Sequence, residues 1–271
     1  MDNPEKIELR RRHPHPILAF VLTAVLIGVA GQAEPPSREL LIVYSGNALG
    51  ELKPCGCDKE EDQGGIERRM GYLKRRQASK TQTLLVDLGD NFKKPTRQGK
   101  LKAQTMMKAL AQMQYDAITP GDKDLVYGNG FLASGGPLPW VSANLRLDGF
   151  SMPASKTQVL DNGLKVFITA VADPDLFYTS PDSNIRLSDP REAFRRQLKR
   201  ARESEPPDLV VVLTHMPRDK GVRFLDVPGV DVVINGHIEK DSDKIDMNPV
   251  IKDGKIFVQP GPLGQKMGEL F

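Results

Sequence analysis

The sequence predicts an α/β protein with mixed β-sheets. The continuous apolar run Leu40–Tyr44 and the largely apolar segments Leu84–Leu88 and Asp208–Leu213 have the length of buried strands. Stretches with apolar residues at helical spacing lie between them. A strong hairpin signal, Asp161-Asn162-Gly163, joins two further strand-like segments in the middle of the chain. Strand–helix alternation around a hairpin is the pattern of an α/β fold that is not purely parallel.

In chain order, Leu40–Tyr44 is the first strand, and a long loop from Asn47 to Gly65 carries both cysteines. Ile66, Met70 and Leu73 place a helix over Gly65–Ala78. Leu84–Leu88 is the next strand, and Met106, Leu110 and Met113 mark a second helix. Ala117–Thr119 and Trp140–Leu145 read as strands, and Thr157–Leu160 and Lys165–Val171 form the hairpin. Ser188-Asp189-Pro190 opens a helix over Asp189–Ser204, with proline in the first turn. Asp208–Leu213, Val230–Ile234, Lys255–Gln259 and Met267–Phe271 complete the strands.

Ahead of this domain, Arg10, Arg11 and Arg12 precede an apolar run from Ile17 to Val29, and Gly31-Gln32-Ala33 follows as a small-x-small cleavage site. The run is shorter than the roughly 20 residues of a spanning helix, so residues 1–33 read first as a signal peptide and second as an uncleaved membrane anchor. Residues 34–39, with Pro35-Pro36, form a linker, and 40–271 the folded domain. Both readings place the domain outside the cytoplasm, periplasmic or membrane-anchored, with membrane contact only through the N-terminal segment. The net charge of +3 leaves no electrostatic footprint for nucleic acid. A small anionic substrate, which needs only local positive charge, stays open, as does an exported protein partner.

Polar residues collect at the carboxyl ends of the strands, where α/β sheets bind ligands. Asn47 follows the first strand, Asp87 and Asp90 close the second, and Asp122, Lys123 and Asp124 follow the third. His215 and His237 end two later strands and are the only histidines beyond the N-terminal segment. Taken singly each is an ordinary polar residue at a strand end; together with Asp90 and Asp122 they form a mixed N/O set suited to Zn, Mn or Fe.

In order and spacing, Leu85-Val86-Asp87-Leu88-Gly89-Asp90, Thr119-Pro120-Gly121-Asp122-Lys123-Asp124, Trp140-Val141-Ser142-Ala143-Asn144-Leu145, Val211-Val212-Leu213-Thr214-His215 and Ile234-Asn235-Gly236-His237-Ile238-Glu239 resemble the 5'-nucleotidase and UDP-sugar hydrolase branch of the calcineurin-like metallophosphoesterases. Cys55-Gly56-Cys57 followed by Gly64-Gly65-Ile66-Glu67-Arg68-Arg69 is similar to a bacterial subgroup with a Cys-Gly-Cys loop after the first strand. The resemblance implies a four-layer αββα sandwich with two mixed sheets. It also implies two divalent metals bridged by one aspartate, at the position of Asp90. The second metal's remaining ligands fall on Asp122, His215 and His237. The first metal's positions read Asn47, Leu49 and Glu239, so that site is degenerate and one divalent ion is expected. The family's catalytic histidine is Lys123 here, and an ammonium releases its proton far less readily than an imidazolium.

Two functions from different classes are consistent with these residues. One is an exported metal-dependent hydrolase of phosphate esters, weak or altered in specificity. The family's enzymes often carry a further domain that grips the nucleotide base, so nucleotide specificity is not implied for a chain ending at Phe271. The other is a non-catalytic or redox-active module that keeps the fold, with Cys55 and Cys57 as the functional pair. In an oxidising compartment a disulfide is the first expectation for two cysteines, and thiolate ligation of a soft metal the second. Arg68 and Arg69 could meet an anion, but read first as part of a solvated helix face beside Arg75 and Arg76. Asp87 and Asp124 read as structural or as supports behind the metal ligands.

Overall fold

A computed structural model describes residues 39–54, 62–78, 81–179, 185–238 and 245–271. Pro36–Phe271 forms one compact unit. The N-terminal apolar run, Cys55, Cys57 and Glu239 lie outside the described residues.

The elements follow the expected order. Strand β1 (Leu41–Ser45) leads to helix α1 (Ile66–Gln77), β2 (Thr83–Asp87), α2 (Arg97–Met113) and the two-residue β3 (Ala117–Ile118). A 3-10 turn at Asp122–Leu125 and α3 (Asn129–Ala133) precede β4 (Leu145–Leu147), β5 (Ser155–Val159), β6 (Lys165–Ala172) and β7 (Ile185–Leu187). Helix α4 (Pro190–Ser204), β8 (Leu209–His215), α5 (Arg218–Val222), β9 (Val232–Asn235), β10 (Val250–Lys252), β11 (Lys255–Val258) and β12 (Gly268–Leu270) complete the chain. As the Ser-Asp-Pro signal predicts, the Asp189 side chain caps α4 by accepting from Glu192 N–H at 2.8 Å.

Two mixed sheets result, ordered β12-β1-β2-β3 and β10-β11-β9-β8-β6-β5. Parallel pairs form the centre of each; antiparallel strands close both edges of the second sheet and the β12 edge of the first, whose other edge, β3, runs parallel to β2. A two-stranded ribbon, β4-β7, is an addition the sequence reading lacked.

Strand periodicity explains the layering, because successive side chains point to opposite faces. Leu41, Val43 and Leu85 pack outward against Leu73 of α1 and Met106 and Leu110 of α2. Ile42, Tyr44, Leu84 and Val86 point inward and meet Val166, Ile168, Val211, Leu213 and Ile234 of the facing sheet. On that sheet's far side Phe167, Val210, Val212 and Val233 pack on Ala193, Phe194 and Leu198 of α4. Three apolar interfaces separate four layers: helix, sheet, sheet, helix. Each central strand is covered on both sides, hence its unbroken apolar run.

One strand boundary is corrected. Trp140–Leu145 is not a single strand. Val141 N–H donates to Ile118 O of the first sheet at 2.8 Å, and Ala143 N–H donates to Ala170 O of the second at 2.8 Å. The segment therefore steps from one sheet to the other, and Leu145 begins β4 with its N–H on Ser142 Oγ at 3.2 Å. Its apolar residues are buried for that reason rather than by membership of one ladder.

Candidate metal centre

Strands of both sheets end at one point. From the first sheet, β2 delivers Asp87 and then turns through Leu88-Gly89 to Asp90. Gly89 (φ 76°) is required there, because a Cβ would strike the backbone of Thr119 and Gly121. The chain after β3 supplies Asp122. From the second sheet, β8 ends on His215, and His237 lies two residues beyond β9. Asp90 (φ 55°) and His237 (φ 48°) are both left-handed, as are Asn47 and Leu49 after β1. Such backbone costs on the order of 1 kcal/mol per residue and clusters at functional sites.

Asp90, Asp122, His215 and His237 each offer a ligand atom, and the four atoms lie within 4.8 Å of one another. His215 Nε2 is 3.1 Å from Asp122 Oδ1 and 3.5 Å from Asp90 Oδ1. His237 Nδ1 is 3.4 Å from Asp122 Oδ1 and 3.8 Å from Asp90 Oδ2. A tetrahedral ion with ligands about 2.1 Å away spaces them about 3.4 Å apart, so these separations fit one. Among the described residues His237 Nδ1 is also buried without a hydrogen-bond partner, an orphan that an ion satisfies. His215 Nδ1 faces Leu88 O at 3.1 Å. Donation there fixes the ring and points Nε2 into the cluster.

Burial disfavours charge at this site, and the cluster divides it unequally. Burial pushes Asp90 above the usual carboxylate range. Asp122 is buried too, but the neighbouring His215 and His237 and the Lys123 ammonium outweigh that and hold it low. Burial opposes the His215 imidazolium, yet Asp90 and Asp122 raise it to about 9. This sets a pH dependence. The unfolded imidazole has a pKa of about 6.5, so in metal-free protein the His215 contribution to stability is full below that value and fades as pH rises through about 9. A divalent ion must displace the same proton. Its affinity is therefore expected to climb over that interval, and the melting difference between metal-loaded and chelated protein to widen. Thermal scans of both forms at several pH values check this, and a constant difference would contradict it.

Two buried carboxylates support the cluster from behind. Asp124 is fully buried, and its carboxylate accepts from the N–H groups of Asp90 (2.8 Å), Asn91 (2.9 Å) and Gly121 (2.9 Å). It clamps the Asp90 loop to the Asp122 loop. Burial, with Asp90 and Asp87 nearby, raises it to about 7. Asp87 accepts from Ser45 Oγ at 2.6 Å, Gly89 N–H at 3.0 Å and Asn91 Nδ2 at 2.7 Å. Arg69 is a correction: it is buried and stands 3.6 Å from Asp87, not on a solvated face. Arg68 is exposed, paired with Asp62 at 2.9 Å. The alternation of one buried and one exposed arginine follows from adjacent helix positions pointing about 100° apart, which an Arg-Arg pair conceals in sequence.

Lys123 sits at the rim, 40% exposed, with its ammonium on Asp122 Oδ2 and its N–H on Asp90 Oδ1 at 3.0 Å. Asn47 is buried, its amide nitrogen 3.5 Å from Ile238 O and its Oδ1 without a partner among the described residues. Asn144, whose amide bonds Ala172 and Ser188, ties loops together.

A candidate divalent-cation site at strand ends drawn from two facing mixed sheets, inside a helix–sheet–sheet–helix sandwich, marks the calcineurin-like metallophosphoesterase fold. Comparison with known proteins finds the same fold in 5'-nucleotidases and in a calcineurin-like phosphoesterase. The 5'-nucleotidase precursor from Thermus thermophilus superposes with a TM-score of 0.73 at 21% identity, covering 85% of this chain and 50% of that one. The calcineurin-like phosphoesterase YfkN from Bacillus subtilis superposes with a TM-score of 0.64 at 19% identity, covering 85% of this chain and 84% of that one. In sequence, the snake venom 5'-nucleotidase of Crotalus adamanteus is 23% identical over 248 residues, 84% of this chain. The alignment spans only 41% of that relative's length. No protein-family model matches the chain.

Proposed function

We propose that the protein is an exported, metal-dependent hydrolase of phosphate esters, 5'-nucleotidase-like in architecture and weak or altered in specificity. The observation that carries this reading is the Asp90–Asp122–His215–His237 cluster with a cationic side chain, Lys123, at its rim. When bound, one Zn, Mn or Fe ion at this position supplies Lewis acidity toward a phosphoryl oxygen and acidifies water. The chain's own residues do the rest. Asp90 and Asp122 compensate the ion's charge, His215 is aimed by Leu88 O, and Lys123 stands where a substrate phosphate would meet a positive charge. Lys123 is a poor general acid, so leaving-group protonation is the weak step. The relatives' full length is not matched, so a nucleotide base is not assigned as the recognised group.

Metal analysis of the purified protein with a phosphate-ester panel tests this. About one divalent ion per chain is expected, lost in His237→Ala. Turnover is expected to be metal-dependent and well below the ~10 per second of a typical enzyme, and to rise in Lys123→His. Two ions per chain, or metal retained in His237→Ala, would overturn the assignment of ligands.

Export rests on Arg10–Arg12, the Ile17–Val29 run and Gly31-Gln32-Ala33. Among the described residues no helix is long and apolar enough to cross a membrane. Cell fractionation is expected to recover the native protein outside the cytoplasm, and cytoplasmic recovery of the mature form would refute the export reading.

A second reading, a non-catalytic or redox module, draws on Asn47 and Leu49. They keep the left-handed backbone of the loop after β1 but offer no charged ligand at the first metal position.

A further inference from the structure

A chain of buried polar side chains leads from α1 to the loop that carries Asp90. Strand periodicity sets its course. Leu41, Val43 and Leu85 face the outer helices, so Ser45 and Asp87, which continue that alternation in β1 and β2, face the same way. The two are direct partners across the strands. Ser45 meets Tyr115, which follows α2, and Asp87 meets Arg69 of α1. All four side chains are buried.

The direction of the hydrogen bonds follows from chemistry. An Asp87 carboxylate only accepts. Ser45 Oγ, 2.6 Å from Asp87 Oδ2, therefore donates to it. With the Ser45 proton committed, the Tyr115 hydroxyl, 2.7 Å from Ser45 Oγ, donates to Ser45. The Arg69 guanidinium, which only donates, bonds the Tyr115 hydroxyl. The donors thus run one way, from Arg69 through Tyr115 and Ser45 to Asp87, and each bond polarises the next. Arg69 also faces the carboxylate directly, with Nη1 3.6 Å from Asp87 Oδ2. A buried carboxylate stripped of such a partner is strongly destabilising.

The two Asp87 oxygens divide their partners. Oδ2 takes the Ser45 hydroxyl, and Oδ1 accepts from Gly89 N–H at 3.0 Å and Asn91 Nδ2 at 2.7 Å. Gly89 and Asn91 flank Asp90, whose left-handed backbone (φ 55°) persists only if its surroundings hold it. Asp124 grips the N–H groups of Asp90 and Asn91. Asp87 is the second carboxylate on the same loop, and its charge is the one that Arg69 answers.

We infer that Arg69 is a positioning residue for the Asp90–Asp122–His215–His237 centre, acting through Tyr115, Ser45 and Asp87 to fix the loop that presents Asp90. The inference rests on the reading of those four residues as ligands of a divalent ion.

Co²⁺ binding to the purified full-length chain tests it. Affinity is read by competition with a chromophoric chelator, and ligand geometry by the visible spectrum of the bound ion. Arg69→Met keeps the length of the side chain and removes its charge. It is expected to weaken Co²⁺ binding about 10–100-fold, the range for groups that orient metal ligands, and to alter the spectrum. Arg69→Lys returns the charge and should recover most of the affinity. Tyr115→Phe keeps the buried ring and breaks the chain, at a loss of about fivefold, the worth of one ordinary hydrogen bond. In Asp87→Asn the charge that Arg69 answers is gone, so adding Arg69→Met to that variant should cost little further affinity. A merely structural arginine would lower the melting temperature of the chelated protein and leave the affinity and spectrum of the folded protein unchanged. That result would overturn the inference, as would full additivity in the double variant. If Arg69→Met does not fold, Tyr115→Phe decides, and wild-type affinity with a wild-type spectrum there would also overturn it. Wild-type protein that binds no Co²⁺ would instead refute the ligand assignment itself, and the inference with it.

Discussion

Gly121→Ala is expected to abolish tight metal binding while leaving the domain folded. Gly121 has ordinary extended backbone (φ −92°, ψ 173°), so alanine meets no conformational barrier there. The obstacle is space. A Cβ would collide with Asp90 Oδ1 and stand 2.6 Å from both Asp90 N and His215 Cε1. Two of the four ligand candidates must move, and neither is the free end of a flexible chain. Asp90 is fixed through its backbone by Asp124, and His215 is packed at the end of β8. Overpacking of this kind costs about 1–3 kcal/mol, which a domain with three apolar interfaces tolerates. A metal site does not tolerate the displacement, since disturbing even supporting residues lowers affinity about 10–100-fold. Metal content near zero with an unchanged circular dichroism spectrum is the expected result. Wild-type metal content in the variant would show that the four side chains are not the ligands.

Asp124→Ala is expected to be the more damaging substitution for stability. It strands three buried N–H groups, those of Asp90, Asn91 and Gly121, at about 1–3 kcal/mol each. Water entering the small space left by the carboxyl recovers part of this, so a net loss on the order of 4 kcal/mol is expected. For a domain of this size that lowers the melting midpoint by roughly 10 °C. Metal affinity falls with it, because the clamp between the Asp90 and Asp122 loops is gone. Asp124→Asn should be milder, since one amide oxygen still accepts. Denaturation of the chelated proteins isolates the structural part. A loss below about 1 kcal/mol in Asp124→Ala would mean that those N–H groups find other acceptors.

The layers of the fold were legible because the central strands are apolar on both faces and the helices between them are not. The four ligand candidates were legible because each follows an apolar run at a strand's carboxyl end. The Trp140–Leu145 segment was misread for the same reason: its residues are as apolar as a strand, and nothing local records that it passes from one sheet to the other. Asp124 was seen as structural, but its three N–H partners come from two loops well separated in sequence, a relation that no local pattern encodes. Arg69 was hidden by its neighbours, since Arg68, Arg75 and Arg76 make the helix look uniformly basic. The β4-β7 ribbon was missed because three-residue strands carry too little periodicity to register.

The four ligand candidates are split evenly between the two sheets: Asp90 and Asp122 belong to one, His215 and His237 to the other. An ion held by all four would rivet the sandwich across its inner apolar interface. Ligand binding restricted to the folded state adds about 2.7 kcal/mol when the free ion is at 100 times its dissociation constant, and almost nothing when it is scarce. The resistance of this protein to heat and to proteolysis would then track the free metal of its surroundings, and its lifetime would report on metal supply whether or not the site turns over a substrate.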